Sequence, residues 1–83
     1  MPEPEISPGE RRIQLESEIQ SKTARILQIE AEIQNIQARI QLAKPDTDLY
    51  NRLVEQKNTL SSTLAENKKA KSKLAAELRS LTQ

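Results

Sequence analysis

The apolar residues of this 83-residue chain form two interleaved seven-residue series on each side of a central proline. Before Pro45, Ile19, Ile26, Ile33 and Ile40 recur every seven positions. Leu15, Ile29, Ile36 and Ala43 make the companion series, with Lys22 in one slot. After Pro45, Leu53, Leu60, Leu74 and Leu81 form one series with Asn67 in its gap, and Tyr50, Leu64 and Leu78 form the other, with Lys57 and Lys71 in its gaps. Alternating steps of three and four keep such residues on one stripe of an α-helix, the a/d pattern of a coiled coil. The pattern predicts two long helices.

The two frames are out of phase. Carrying the first past Ala43 puts an a position at Thr47, whereas the second helix has it at Tyr50. A continuous rod absorbs such a slip only as a stammer. A turn accounts for the slip together with its neighbours: Pro45 disfavours helical geometry at Lys44, Asp46 or Thr47 is placed to cap a new helix, and Asp48 complements its dipole. At the other end, Ser7-Pro8-Gly9-Glu10 reads as a capping box with proline at the first helical position. Helix 1 is therefore expected over 7–44, a turn over 44–47 and helix 2 over 47–83. Residues 1–6, where two prolines alternate with two glutamates, are expected to be a disordered tail.

Folding the chain back at the turn so that partner numbers sum to about 93 brings each a position of one helix to a d position of the other. The layers include Ala43 with Tyr50, Ile40 with Leu53, Ile33 with Leu60, Ile29 with Leu64, Ile19 with Leu74 and Leu15 with Leu78. The expected fold is all-α: an antiparallel two-helix coiled-coil hairpin that assembles into a four-helix bundle or docks on a partner helix.

Composition narrows the chemistry. The chain has no Cys, His, Trp or Phe, a single glycine (Gly9) and a single aromatic residue (Tyr50). A disulfide framework, a Cys/His zinc site, a Ser-His or Cys-His nucleophile pair and a glycine-rich phosphate loop are excluded. Glu16, Glu30 and Glu32 lack a His to complete a bundle-type di-metal site and read as solvated charge. No enzyme, small-molecule substrate or cofactor is expected. No run approaches the roughly 18 apolar residues that cross a bilayer, and the acidic, proline-rich start lacks the features of a secretory signal. The expectation is a soluble, cytoplasmic protein.

Three candidate features remain. Lys22, Asn67 and Lys71 make a polar layer in the seam, either snorkelling to water and setting register or accepting an acidic side chain from a partner. Ala24, Leu27, Ala31, Ala38 and Leu42 form a second stripe on helix 1 away from the seam. It is either an alanine-rich exposed surface or the association face for a second copy, giving a homodimer, or for another helical protein. On helix 2, Leu49, Val54, Ala70 and Ala75 flank and widen the seam. The third feature is a lysine cluster, with Lys68, Lys69 and Lys73 as possible anion or nucleic-acid ligands. Against it, the lysines point to different sides, no aromatic is available to stack a base, and the net charge is only +1. Across the hairpin, Glu30 is placed to reach Lys68 as a flanking ion pair.

A hairpin this small is marginally stable alone, and association is the usual remedy. The leading expectation is a non-catalytic interaction module serving as adaptor, small chaperone or assembly subunit. Two equal helices around Lys44-Pro45-Asp46-Thr47-Asp48-Leu49-Tyr50, followed by Leu53 and Gln56, resemble the helical-hairpin needle subunits and needle co-chaperones of bacterial type III secretion. That resemblance rests on size, topology and turn placement. The chain departs from needle subunits in lacking an N-terminal Trp and in its strongly heptad Ile/Leu seam.

Overall fold

A computed structural model describes residues 7–82. The expected tail over 1–6 and Gln83 lie outside the described residues. Two α-helices of 35 residues, α1 (Pro8–Leu42) and α2 (Asp48–Thr82), pack along each other as a hairpin measuring 62 × 26 × 14 Å. It is two helices wide and one helix thick, so each helix covers the other on one side only.

Local chemistry sets the ends. Ser7 is extended, its Oγ accepts the Glu10 N–H at 3.2 Å, and its carbonyl accepts the Arg11 N–H at 2.9 Å. Pro8 follows at the first helical position, where its missing N–H leaves no bond unmade. Helix α1 ends at Leu42, two residues earlier than expected. Pro45 excludes the helical region at Lys44, and Ala43 is already extended (ψ 145°), its N–H shared between the Arg39 and Ile40 carbonyls.

In the turn Asp46 takes a left-handed conformation (φ 65°), which a short polar side chain tolerates better than most. Thr47 is the cap of α2: its Oγ accepts the Tyr50 N–H at 3.2 Å and donates to the Lys44 carbonyl at 2.7 Å. One hydroxyl thus ties the exit of α1 to the entry of α2. Thr47→Ala is expected to cost about 1 kcal/mol, while Thr47→Ser retains most of that. Thermal melts followed by circular dichroism check this, and identical melting of the alanine and wild-type chains would count against the cap.

The buried residues are Leu15, Ile26, Ile29, Ile36 and Leu53, all a/d positions. Leu15 and Ile29 are completely enclosed. Ile19, Ile33, Ile40, Tyr50, Leu60, Leu64, Leu74 and Leu78 are half-buried along the same seam. Burial is uneven, because four of the five buried residues belong to α1. The α2 stripe carries Lys57, Asn67 and Lys71 in place of aliphatic side chains: the lysine ammonium groups reach towards water and the Asn67 amide turns to its own backbone, so the neighbouring leucines are left partly uncovered. Shared grooves place Ile36 beside Gln56 and Leu60, Lys22 beside Ala70 and Leu74, and Ala43 beside Leu49 and Leu53. Those neighbours match the antiparallel register read from the heptads.

One ion pair, Arg11 with Glu77, joins the open ends of the helices, and Arg12 pairs with Glu16 at 3.4 Å within α1. The expected Glu30–Lys68 pair does not form among the described residues. An exposed pair gains only a few tenths of a kcal/mol, too little to hold two long side chains in one geometry.

Candidate functional site

Three surfaces meet on this rod. The first is the polar layer, where Lys22, Asn67 and Lys71 are all half-buried. The Asn67 amide donates to the Thr63 carbonyl of its own helix at 2.8 Å. Neither lysine has an ion-pair partner among the described residues, and no buried side-chain polar atom there lacks a hydrogen bond. The groove beside Lys22 has Ala70 and Leu74 in its wall and Glu18, Lys73 and Glu77 around it.

The second surface is the outside of α1. Ala24, Leu27, Ala31, Ala38 and Leu42 are all exposed, Leu27 by 63% and Leu42 by 88%. Ile13, two heptads before Leu27 and 65% exposed, extends the stripe towards the N-terminus. Every other outward position between Ile13 and Leu42, namely the b, c and f places of the heptad, is Ser, Gln or Asn. The outside of α1 therefore carries no charge over four heptads. The same places on α2 hold Asp48, Arg52, Glu55, Glu66, Lys69, Lys73 and Arg79. A helix back facing only water ordinarily looks like α2. Beside the turn, Leu42 and Leu49 (60% exposed) line an apolar hollow with Ala43 and Leu53.

The lysine cluster is dispersed. Lys68, Lys69 and Lys73 are exposed, but Lys71 is drawn into the seam. Lys69 and Lys73, four apart, share a side of α2, and Lys68 is turned about 100° from Lys69. No shared anion pocket is built from them.

Apolar counting passed over a further row. Arg11, Glu18, Arg25, Glu32 and Arg39 alternate in sign at seven-residue spacing along one flank of α1. Arg11 has Glu77. Stepping seven residues along both helices from that pair sets Glu18 across from Ala70, Arg25 from Thr63, Glu32 from Gln56 and Arg39 from Leu49. Three of those couples share grooves in the structure. None offers an opposite charge, and Glu18, Arg25, Glu32 and Arg39 have no ion-pair partner among the described residues. The signal was present in the sequence, in the same heptad that located the seam.

Among the described residues no group of three His, Cys, Asp or Glu is placed to hold a metal ion, and no helix is long and apolar enough to cross a membrane. No protein-family model, curated protein or solved structure matches the chain.

Proposed function

We infer that the chain is a non-catalytic interaction module, of the adaptor, small-chaperone or assembly-subunit kind, that acts by packing the outside of α1 against another helix. The observation that carries this reading is the contrast between the two helix backs. That of α1 is charge-free from Ile13 to Leu42 and exposes three large apolar side chains, while that of α2 carries seven charged residues. Exposed apolar side chains gathered on one face mark an interaction surface more often than scattered ones. Serine and alanine at every seventh position, Ser17, Ala24, Ala31 and Ala38, let a second backbone approach closely.

The test is a charge on each back. Ala31→Glu is expected to weaken association at least tenfold, read as mass by light scattering, because it buries an unpaired carboxylate in the contact. Ser62→Glu, on the exposed back of α2, is expected to leave it unchanged. Equal effects of the two substitutions would remove the distinction between the faces.

A further inference from the structure

We propose that the helix covering the outside of α1 is α1 of a second copy of this chain, packed antiparallel about a two-fold axis near residue 29. This rests on the reading above and adds the partner, its direction and its register.

The charge row carries the argument. Glu18, Arg25, Glu32 and Arg39 form an even, sign-alternating ladder with no ion-pair partner among the described residues; within α1, Arg25 donates to Gln28 at 3.2 Å and Arg39 is the basic residue of the last turn. Laid antiparallel on a copy of itself, the ladder sets Glu18 against the partner's Arg39 and Arg25 against the partner's Glu32. Two-fold symmetry repeats both pairs, so all four members meet the opposite sign. A parallel copy in register sets every member against its own like. An antiparallel copy shifted by one heptad brings Glu18 to the partner's Glu32 and Arg25 to the partner's Arg25, which repel.

The uncharged face is compatible with that axis. About that axis Gln28 comes within about 3 Å of the level of the partner's Ala31, and so do Asn35 and the partner's Ala24, Ser21 and the partner's Ala38, and Leu42 and the partner's Ser17. Each level holds at least one Ser or Ala, so the backbones approach without a clash, and Leu42, the most exposed large apolar residue described, gains cover. The contact runs about 44 Å from Ile13 to Leu42. With both flanks it approaches the roughly 20 residues a side of a standard interface.

Two complementary variants of the full chain test this. R25E/R39E makes the ladder wholly acidic and E18R/E32R makes it wholly basic. None of the four side chains has an ion pair among the described residues, so helix content by circular dichroism is expected to stay at the wild-type level apart from slight fraying of the last turn of α1, where Arg39→Glu removes a dipole-compensating charge. In sedimentation equilibrium the wild type is expected to dimerise, each variant alone to dimerise at least tenfold more weakly, and a one-to-one mixture to form a heterodimer at least as tight as the wild-type dimer. Added salt weakens the heterodimer most. Wild-type dimerisation by either variant alone, or a mixture that fails to associate, overturns the proposal. So does a wild-type chain that stays monomeric. A wild-type dimer lost on Ala31→Glu but indifferent to both charge variants overturns the ladder and leaves the α1 face standing. A dimer indifferent to Ala31→Glu removes that face as well.

Discussion

Ile29→Ala is expected to destabilise the hairpin by about 3 kcal/mol. Ile29 is fully enclosed, lies in the a/d seam and sits at the middle of the rod, where neither a fraying end nor the turn can relax to fill the space. Trimming a buried isoleucine to alanine forfeits the transfer energy of the lost carbons and leaves a cavity, together about 2–5 kcal/mol. A single two-helix layer has stability at or below the low end of the roughly 5–15 kcal/mol typical of domains. The substitution therefore takes away most of what holds the two helices together. Ile13→Ala is the matched control, compared at a concentration low enough to keep the chain monomeric so that association does not contribute. The same side chain is deleted from the same helix, but at a site 65% exposed, and the expected change is within about 0.5 kcal/mol. Urea unfolding followed by circular dichroism compares the two. Similar losses at both sites would mean that the seam is not where the folding energy lies.

Lys22→Leu with Lys71→Leu is expected to act in the opposite direction, raising stability by about 2 kcal/mol. Both lysines occupy a/d slots, both are half-buried and neither has a counter-ion among the described residues. Each contributes a chain of methylenes to the seam while its ammonium group must stay in water, and in the antiparallel register the two positive charges share a layer. Leucine removes the repulsion and adds about half of the roughly 1.5–3 kcal/mol that a fully buried aliphatic side chain is worth. What is lost is discrimination. A polar layer penalises shifted pairings that an unbroken Ile/Leu seam would accept. The double variant is thus expected to melt at a higher temperature and keep its association with partners. Lower stability would show that the lysines hold the seam together. Higher stability with association abolished would assign the layer to docking.

Much of this architecture follows from spacing. The heptads of isoleucine and leucine, the phase slip at Pro45 and the Ser7 cap define two helices, their direction and their approximate register before any geometry is known. What spacing leaves open depends on conformation at single residues. The choice between Asp46 and Thr47 as the second cap turns on Asp46 entering the left-handed region, which frees Thr47 to bond both ways across the turn. The end of α1 at Leu42 depends on how far back from Pro45 the extended backbone reaches, and Ala43 joins it. Burial is not periodic even though the residue pattern is. Ile29 is enclosed while its expected layer partner Leu64 is half-buried, because cover depends on the neighbours and α2 places Asn67 in the next layer. The ladder of Glu18, Arg25, Glu32 and Arg39 is equally periodic. It acquires meaning only beside Ala70, Thr63, Gln56 and Leu49, which leave it unpaired within one hairpin.

The central claim is that the outside of α1 is a surface to be covered, and the mass of the intact chain as a function of concentration tests it most directly. Sedimentation equilibrium is expected to show weight-average mass rising from 9.4 kDa for the single chain towards twice that value, with Ala31→Glu returning it to the single-chain mass. A mass of 9.4 kDa at every concentration, the same for wild type and Ala31→Glu, would contradict the account.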